Sequence, residues 1–400
     1  MVKPRVFINL HYMEFGGAER ALLGLLNALD TSKVDVDLFL NQHTGAFMSL
    51  IPSKINLLPE IPAYSAIERS MKDIFFEGHW GILFGRIYGK LKHLLYLKSI
   101  GARQDGSGTQ YAFDGVLPFL PSLKFLGHYD MAISFLDPPH IVQDKVDASI
   151  RMEWIHTDWS TVDINEKLVA PRWGRNDFIV SISRAVTEQF LKKFPQFKNK
   201  IIEIHNILSP TFVRSQAILS DDMSFFCSSG LSICSVGRIA YAKNFDNIPH
   251  IAKLLKEKGI DFHWYVVGPG DHKDIDRISE ENKVDDYVHF LGPKSNPYPW
   301  MNACDIYVQP SRYEGHSVTV REAQILGKPV IITNYPTAKN QVHNGLDGII
   351  CGLDNESIAN AIIALGKDKS KQEALMGYVS SHDYGNEAEV EKIYKILNVT

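Results

Sequence analysis

Residues 302–322 read NACDIYVQPSRYEGHSVTVRE and contain the clearest indication of the fold. Its apolar run Ile306–Gln309 predicts a buried strand, because a short apolar run that ends at a proline is typical of one. Thr319–Leu326 predicts a helix that Gly327 ends, and Pro329–Thr333 predicts the next strand. A strand, a loop, a helix and a second strand in this order make one βαβ unit of a parallel sheet.

The same alternation of apolar runs and helical patterns extends through both halves of the chain. In the first half, strands are predicted over Arg5–Leu10, Val34–Leu40, Met131–Phe135, Arg151–Ile155, Asp177–Ser181 and Ile201–Ile204, with helices over Ala18–Leu29 and Arg184–Phe194. In the second half, strands are also predicted over Leu231–Val236, Phe262–Val267 and Tyr287–Leu291, with a helix over Pro249–Lys258. This rhythm predicts an α/β protein with two doubly wound parallel sheets in tandem. We expect a cleft where both sheets present the carboxyl ends of their strands, at which such sheets bind ligands.

A chain of 400 residues is longer than one hydrophobic core usually supports, so two domains are expected. We predict an N-terminal domain over residues 1–208 and a C-terminal domain over residues 209–385. The polar and irregular stretch Ser209–Gly230 is the predicted linker. Residues 386–400 contain the predicted helix Glu387–Leu397, which we expect to return to the N-terminal domain.

Composition excludes several classes of protein. An apolar content of 45% and a charged content of 22% are ordinary for a globular chain, which excludes collagen-like and disordered proteins. The 46 acidic and 42 basic residues give a net charge of −4, so no overall positive charge points to nucleic acid. The four cysteines form no C-x-x-C pair, and no apolar stretch reaches the roughly 18 residues of a membrane span. We therefore expect a cytoplasmic protein that does not span a membrane, with contact at the inner membrane face left open.

Residues 65–128 interrupt the alternation of strands and helices. Within them, Arg69–Arg103 carries seven Lys or Arg residues against two acidic ones, with aromatic and leucine side chains between them. A basic, aromatic-rich helical insertion suits an anionic membrane surface or a lipid-carried substrate. The same pattern suits two helices that pack on the sheet and point their lysines into water. The sequence leaves both interpretations open.

Glycines and basic residues follow the first predicted strand of each half. Gly16 and Gly17 precede a helix whose free backbone N–H groups and dipole can hold an anion, although a tight turn would use the same glycines. Behind the strand Leu231–Val236, Arg238 and Lys243 lie five residues apart. Two cations at a strand end can hold a diphosphate, and a solvated loop is the alternative.

Two glutamates lie eight residues apart, Glu314 in the loop after a strand and Glu322 on the following helix. A carboxylate on the helix can accept hydrogen bonds from two ribose hydroxyl groups, and a loop carboxylate can reach a sugar. Backbone N–H groups from Gly315 onward lie between the two glutamates. Ser317 or Thr319 can cap the helix, and Glu322 also fits a capping box with Thr319. Both glutamates therefore have a structural alternative, Glu322 in a cap and Glu314 as a solvated acid.

Taken in order, these motifs resemble the retaining GT-B glycosyltransferases of glycosyltransferase family 4, also called glycosyltransferases group 1. The E-x7-E signature of that family corresponds to Glu314 and Glu322. Its other motifs correspond to Gly16-Gly17-Ala18-Glu19-Arg20, Gly237-Arg238 with Lys243-Asn244, Val267-Gly268-Pro269-Gly270, and Asp305–Val308 before Pro310-Ser311. The resemblance covers the C-terminal half throughout, whereas the N-terminal half matches at its ends and around His156.

The resemblance implies a GT-B fold, in which two Rossmann-like doubly wound domains face a cleft that holds a nucleotide-diphosphate sugar. Arg238 and Lys243 would hold the diphosphate, Glu322 the ribose and Glu314 the donor sugar. His156 would lie near that sugar and act in catalysis together with Glu314 and the two cations. The other donor-binding positions implied are Gly16, Gly17, Gly268, Gly315, His316 and Ser317.

The resemblance further implies a retaining hexosyl- or N-acetylhexosaminyl-type transferase, with a UDP-sugar as the expected donor and no cofactor. The expected acceptor is a saccharide, either free or lipid-linked, in polysaccharide, lipopolysaccharide or glycolipid assembly. Asp35-Val36-Asp37 and Asp274-Ile275-Asp276 match the Asp-x-Asp string of metal-dependent transferases. The first string starts a strand and the second lies in a polar loop, so we predict no metal. Two alternatives stay open, a non-catalytic sugar-nucleotide-binding subunit of a transferase complex and a GT-B sugar-nucleotide epimerase.

Overall fold

The computed structural model of this chain describes residues 3–14, 16–156, 159, 162–219, 223, 226–227, 229–314 and 317–399. The chain divides into two compact units, of which the first consists of residues 1–207 and 387–400 and the second of residues 208–386. Each unit is built around a parallel β-sheet of its own.

The first unit contains a seven-stranded sheet. Its strands are β1 (Arg5–Leu10), β2 (Asp35–Leu40), β3 (Asn56–Leu57), β4 (His128–Ser134), β5 (Asp147–Ile155), β6 (Phe178–Ser181) and β7 (Ile201–Glu203). All neighbouring pairs are parallel, and their order is β3-β2-β1-β4-β5-β6-β7. The order reverses between β1 and β4, so the carboxyl ends of these strands flank a switch point of the kind where doubly wound sheets bind ligands.

Helices cover both faces of this first sheet. They are α1 (Gly17–Ala28), α2 (Pro62–Glu68), α3 (Met71–Phe76), α4 (Trp80–Ile100), α5 (Gly108–Val116), α6 (His140–Asp144), α7 (Glu166–Gly174) and α8 (Arg184–Lys193). On β1, Val6, Phe7 and Ile8 are all fully buried although their side chains alternate between the two faces. Strands buried on both faces appear in a sequence as continuous apolar runs, and this is why the apolar runs predict them.

The second unit contains a six-stranded parallel sheet. Its strands are β8 (Leu231–Val236), β9 (Phe262–Val267), β10 (Val288–Phe290), β11 (Ile306–Gln309), β12 (Val330–Thr333) and β13 (Ile349–Cys351). Its helices are α9 (Pro210–Ala217), α10 (Ile248–Glu257), α11 (Lys273–Glu281), α12 (Tyr298–Ala303), α13 (Val318–Ile325), α14 (Ala338–Gln341), α15 (Asn355–Lys367) and α16 (Lys369–Ser380). The order β10-β9-β8-β11-β12-β13 is that of the Rossmann fold, with its switch point between β8 and β11. The predicted fold class of two Rossmann-like α/β domains is therefore confirmed.

The segment predicted as an irregular linker contains a helix. α9 occupies part of Ser209–Gly230, of which residues 220–222, 224, 225 and 228 lie outside the described residues. Ser209 caps α9, because its hydroxyl accepts a hydrogen bond from the backbone N–H of Phe212 at 3.2 Å. Val213 is buried in the core of the second unit. The prediction was wrong here because polar residues flank a short amphipathic stretch.

The end of the chain packs on the first unit. Glu387–Val390 forms a 3₁₀ turn, and the short helix α17 (Glu391–Ile396) follows it. The backbone N–H of Asp30 donates a hydrogen bond to the hydroxyl of Tyr394 at 2.6 Å. The predicted single helix over Glu387–Leu397 is thus divided into two shorter elements.

The helix α4 dominates the segment that interrupts the predicted alternation. It packs on α5 through glycines: a Cβ at Gly85 would lie 2.5 Å from the carbonyl oxygen of Gly115, and a Cβ at Gly89 would lie 2.3 Å from that of Tyr111. Ile82 is buried on the same side, whereas the opposite side of α4 is exposed. None of the described helices combines the length and the apolar character needed to cross a membrane.

Candidate active site

The loop that follows β8 carries the predicted diphosphate ligands. Gly237 leaves the strand with its backbone N–H donating to the carbonyl of Val267 at 2.9 Å. Gly268 approaches so closely that a Cβ there would lie 1.9 Å from the carbonyl oxygen of Gly237, and its φ is 150°. Position 268 therefore requires glycine for the two strand ends to lie side by side.

The loops that follow β8 and β11 are fixed to each other. Asn244 has a left-handed backbone with a φ of 60°, and its Nδ2 donates to the carbonyl of Pro310 at 2.9 Å. The backbone N–H of Arg312 donates to the carbonyl of Ala242 at 2.8 Å. The guanidinium of Arg312 donates two hydrogen bonds to the carboxylate of Asp246, at 2.8 and 2.7 Å. A bidentate pair of this kind fixes geometry as well as charge.

Lys243 and Glu314 meet where these two loops join. Nζ of Lys243 donates to Oε1 of Glu314 at 2.5 Å. The same oxygen accepts from the hydroxyl of Ser311 at 2.7 Å and from Nε2 of Gln309 at 3.4 Å. Only 23% of the Lys243 side chain and 10% of the Glu314 side chain are exposed. A cation from one strand end and a carboxylate from the other thus form a largely buried site at the switch point of the sheet.

Arg238 lies on the same loop as Lys243 but is exposed to solvent. It forms no hydrogen bond or ion pair with any residue that the structure describes. The stem of Lys243 passes beside Gly237, where its Cε lies 3.4 Å from the position that a Cβ would take. The two predicted diphosphate ligands therefore differ, since Lys243 is held by a carboxylate and Arg238 can turn toward a ligand.

Glu322 lies inside the second unit rather than at a helix cap. Its side chain is fully buried, and its Oε1 accepts a hydrogen bond from the hydroxyl of Tyr298 at 2.7 Å. α13 begins at Val318, one residue before the predicted start, so Glu322 lies beyond the third helical position that a capping box uses. Ser317 occupies the N-cap position without a side-chain cap hydrogen bond. The capping predictions for Ser317 and Thr319 are therefore wrong, and the ribose role of Glu322 stays a prediction.

Gln341, which no sequence motif indicated, anchors the loop between the two glutamates. Its Oε1 accepts from the backbone N–H of Ser317 at 3.0 Å, and its Nε2 donates to the carbonyl of Ser317 at 2.5 Å. The hydroxyl of Thr337 donates to the carbonyl of Glu314 at 2.8 Å. The predicted donor-binding residues Gly315 and His316 lie outside the described residues. Glu314 and Ser317, which flank these two residues, therefore both form hydrogen bonds with the segment that follows β12.

In the first unit, Gly16 and Gly17 stand at the start of α1. Gly16 is the N-cap with an extended backbone. Apart from its chain neighbours and the backbone of its own helix, no atom of the described residues lies within 4 Å of the position of a Cβ at Gly17. The carboxylate of Glu19 folds back over this end, with Oε2 1.9 Å from the position of a Cβ at Gly16. Burial raises the pKa of Glu19, while a hydrogen bond from its own backbone N–H opposes that rise. The helix end that the sequence predicts to bind phosphate thus has a carboxylate of the chain beside it.

His156 directly follows β5 at the carboxyl edge of the first sheet. Its ring packs on that of Phe135, with centroids 4.9 Å apart. Burial lowers the pKa of His156 to about 4, against a smaller opposing effect of its hydrogen bond with the backbone of Phe135. Its Nε2 is buried and has no hydrogen-bond partner among the described residues. The imidazole is therefore neutral near pH 7, with one nitrogen available to a hydroxyl group.

A buried pair of carboxyl groups, which the sequence analysis missed, lies at the same edge of the first sheet. Glu153 on β5 is fully buried, and its Oε2 accepts from Nδ2 of Asn176 at 2.5 Å. Burial is the main cause that raises the pKa of both Glu153 and Asp137, and the nearby Asp137 carboxylate raises the pKa of Glu153 further. Gln110 donates to Asp137. Of the two carboxyl groups, Glu153 is the one with the greater tendency to stay protonated.

The two Asp-x-Asp strings have structural partners. Asp35 and Asp37 on β2 form ion pairs with basic residues of the N-terminal segment at 3.0 and 3.1 Å. Asp274 and Asp276 lie in the first turn of α11 rather than in the predicted loop, because acidic residues are favoured at a helix N-terminus. Across the described ranges, no group of three or more His, Cys, Asp or Glu side chains is placed to hold a metal ion.

Comparison with known proteins finds a family model that matches most of the second unit. Residues 228–380 match the family model of the Glycosyl transferases group 1. The chain is 30% identical over 179 residues to the putative glycosyltransferase EpsF of Bacillus subtilis, which covers 42% of this chain and 45% of that protein. It is 28% identical over 133 residues to the N,N'-diacetylbacillosaminyl-diphospho-undecaprenol α-1,3-N-acetylgalactosaminyltransferase of Campylobacter jejuni, which covers 33% of this chain and 34% of that protein. The chain spans about half the length, or less, of the curated relatives it matches.

Among solved structures, HepE of Anabaena in complex with UDP and glucose aligns over 99% of both chains, with a TM-score of 0.65 at 13% identity. At this identity the likeness shows a shared fold. The matched family segment contains Lys243, Glu314 and Glu322, the charged residues of the candidate site in the second unit. The second unit is thus similar to the group 1 glycosyltransferases, and the solved structures share the fold of the chain.

Proposed function

We propose that this chain transfers a sugar from a nucleotide-diphosphate sugar to a saccharide acceptor. The contact between Lys243 and Glu314 at the switch point of the second sheet carries the proposal. When the bond between a sugar and a diphosphate breaks, negative charge grows on the diphosphate and positive charge on the sugar ring. Lys243 and Arg238 can stabilise the negative charge, and the Glu314 carboxylate can bind the sugar.

A UDP-sugar with a hexosyl or N-acetylhexosaminyl group is the donor we propose. HepE, which shares the fold, was solved with UDP and glucose, and the C. jejuni relative is named an N-acetylgalactosaminyltransferase. The ribose would be bound by Glu322, whose carboxylate would exchange the hydroxyl of Tyr298 for those of the sugar. Gly268, Gly315, His316 and Ser317 would line the donor with backbone groups, and the donor contacts of His156 and Gly17 stay predictions.

Retention of configuration is the proposed stereochemistry. The acceptor hydroxyl attacks the anomeric carbon on the face from which the diphosphate leaves, and the leaving phosphate oxygen takes the hydroxyl proton. Oε1 of Glu314 already accepts from Lys243, Ser311 and Gln309, which makes the carboxylate a poor nucleophile. This favours a mechanism without a covalent glycosyl-enzyme intermediate. The cations on the loop after β8 supply the charge that a metal would supply, so no metal is proposed.

The proposed acceptor is a saccharide carried on a lipid, in the assembly of polysaccharide, lipopolysaccharide or glycolipid. The name of the C. jejuni relative gives a diphospho-undecaprenol-linked sugar as its acceptor. A lipid-linked acceptor is held at a membrane, so the proposal includes a peripheral contact between this chain and an anionic membrane surface.

Thermal unfolding with UDP, GDP and ADP tests the donor assignment. A nucleotide at a hundredfold excess over its Kd should raise the stability of the chain by about 2.7 kcal/mol, and we expect UDP to do so. The Lys243→Met variant should lose this shift, whereas Lys253→Met, which changes an exposed lysine on α10, should keep it. No shift with any of the three nucleotides would contradict the proposal.

Product analysis separates the remaining alternatives. Proton NMR of the product should show the anomeric configuration of the donor, and an inverted product would overturn retention. Activity that EDTA abolishes and manganese restores would overturn metal independence. Donor binding without transfer or hydrolysis would indicate a binding subunit, and a changed sugar without release of UDP would indicate an epimerase.

A further inference from the structure

We propose that one surface of the first unit, which we call the aromatic face, docks on an anionic lipid bilayer. It consists of exposed side chains of α3, α4 and the residues near them: Phe75, Phe76, Trp80, Phe84, Ile87, Tyr88, Leu91, Leu94 and Leu95. The inference deepens the proposed function, because it names the surface through which the chain reaches a lipid-linked acceptor. The inference rests on the proposed function in one respect: a lipid-linked acceptor gives the chain a reason to contact a membrane.

The aromatic face is continuous along one side of α4. Its positions 80, 84, 87, 88, 91, 94 and 95 follow the spacing of three and four residues that places side chains on one side of a helix. These side chains are large and exposed to solvent: 74% of Phe76, 64% of Phe84 and 68% of Leu95 are exposed. A contiguous exposed apolar surface of this kind marks a site of contact with a partner or a membrane.

The packing of α4 fixes this face outward. Gly81, Gly85 and Gly89 repeat every fourth residue on the opposite side, where a Cβ at each would lie less than 3 Å from α5 or from the ring of Phe119. The backbones of α4 and α5 therefore touch, and rotation of α4 to bury its aromatic side would bring large side chains into that contact. His93 adds a second anchor, with its Nε2 2.6 Å from Oδ1 of Asp105.

The charges around the aromatic face favour an anionic bilayer as the occupant. Lys90 and Lys92 lie at the two margins of the apolar stripe, and Lys98 continues it. None of the three forms an ion pair with a carboxylate of the described residues. The two acidic side chains nearby are already engaged, Glu77 by Arg69 at 2.5 Å and Asp73 by Ser70 at 2.7 Å.

Unpaired lysines beside exposed tryptophan, tyrosine and phenylalanine are typical of helices that lie in the interface of an anionic membrane. A second copy of the chain is a poorer occupant. A two-fold interface would bring two copies of the same positively charged face together, and like charges across an interface are unfavourable.

Vesicle co-sedimentation of the full chain tests the inference. The probes are vesicles of phosphatidylcholine alone and of phosphatidylcholine mixed with phosphatidylglycerol, without donor or acceptor. We expect the chain to sediment with the mixed vesicles and to remain in solution with phosphatidylcholine alone. The charge variant Lys90→Glu/Lys92→Glu/Lys98→Glu should weaken binding more than about tenfold. The matched control Lys367→Glu/Lys369→Glu/Lys371→Glu changes exposed lysines of the second unit by the same charge and should bind as the unsubstituted chain does.

A second variant separates insertion from simple charge attraction. Phe84→Ser/Leu91→Ser/Leu95→Ser removes apolar contact without changing charge, and we expect it to lose most of the binding. Leu353→Ser, a change at an exposed leucine of the second unit, is its control. Circular dichroism and thermal unfolding of every variant show whether the fold is kept. If a triple variant fails to fold, the binding of the unsubstituted chain to the two kinds of vesicle still tests the inference.

Trp80 gives a direct readout of contact in the unsubstituted chain. Of the six tryptophans, it is 56% exposed, whereas Trp154, Trp159, Trp173, Trp264 and Trp300 are at most 4% exposed. Brominated lipid in the mixed vesicles should therefore quench the emission of Trp80, and Trp80→Phe should abolish that quenching.

Absence of binding to the mixed vesicles would overturn the inference. So would binding by the charge variant and the serine variant that equals that of the unsubstituted chain, or a dimer in sedimentation velocity that the serine variant dissociates. Sugar transfer to a water-soluble acceptor is measured separately. Loss of vesicle binding with transfer intact contradicts the docking surface alone, whereas failure of transfer with vesicle binding intact contradicts only the proposed function.

Discussion

Nζ of Lys243 lies 2.5 Å from Oε1 of Glu314, so the cation predicted for the diphosphate contacts the carboxylate predicted for the sugar. Both side chains are largely buried, which makes the removal of either partner costly. We expect a donor at this switch point to accept from Lys243 through its diphosphate and to donate a sugar hydroxyl to Glu314. Without a ligand, the two opposite charges compensate each other.

Substitutions at these two residues should have different effects on UDP, which lacks the sugar. Lys243→Met removes a charge-assisted contact worth about 2 kcal/mol and should raise the Kd for UDP roughly 30-fold. Glu314→Gln releases Lys243 and should leave UDP bound within about threefold of the original affinity, or more tightly. Isothermal titration calorimetry measures both, with Lys253→Met as the control. Equal weakening by the two variants would contradict the separate roles.

The anchoring of Ser317 by Gln341 predicts a loss of stability on substitution. Gln341→Leu leaves the backbone N–H of the buried Ser317 without its partner and leaves the Ser317 carbonyl with only the N–H of Arg321 at 3.4 Å, which should lower the free energy of unfolding by about 1–3 kcal/mol. Lys339→Leu, an exposed change on the same short helix, should lower it by less than about 0.5 kcal/mol. Urea unfolding measures both variants. A similar stability of Gln341→Leu and the original chain would show that the loop does not depend on this anchor.

The sequence predicts the fold well wherever parallel strands are buried on both faces. Arg5–Leu10, Leu231–Val236, Phe262–Val267 and Ile306–Gln309 are strands with the predicted bounds. The short edge strand β3 has two residues and β13 has three, and runs of that length carry too little pattern to be recognised. α9 was missed because its capping serine and its polar neighbours resemble a linker.

The candidate site is predicted only in part, since motifs name charged residues and not the groups that hold them. Lys243 and Glu314 are both predicted, and the sheet topology brings their two loops together. Gln341 and Tyr298, which contact Ser317 and Glu322, come from elements that are distant in sequence and belong to no local pattern. The neighbourhood of a functional residue depends on tertiary packing, which a pattern in one sequence does not contain.

The carboxyl pair of the first unit predicts a pH-dependent stability. Burial raises the pKa of Glu153, so its contribution to stability is complete below pH 4.5 and is lost as the pH rises through the higher pKa of the folded state. Glu153→Gln has a similar shape and can still accept from Asn176, but its amide does not ionise. The variant should therefore be more stable than the original chain at pH 8, with a smaller difference at pH 5. Denaturant unfolding at both pH values measures this, and Glu280→Gln at the surface should change neither value.

His156 predicts the opposite dependence on pH. Its pKa falls from 6.5 to about 4, so its contribution to stability is present above pH 6.5 and is lost as the pH falls toward 4. Between these limits the original chain should lose about 3 kcal/mol relative to His156→Gln. Unfolding free energies at both limits measure the difference, and the exposed His250→Gln is the control. A constant difference across the range would mean that the imidazole has the same pKa in the folded and the unfolded chain.

Donor hydrolysis by the purified chain tests the central claim most directly. Phosphorus NMR follows the release of UDP from UDP-glucose and UDP-N-acetylglucosamine, with water in place of the acceptor. We predict slow release with one of these donors, its loss in both Lys243→Met and Glu314→Gln, and its persistence in Lys253→Met. A donor that stays intact with the original chain, or release that continues unchanged in the two site variants, would contradict the assignment of Lys243 and Glu314 to sugar transfer.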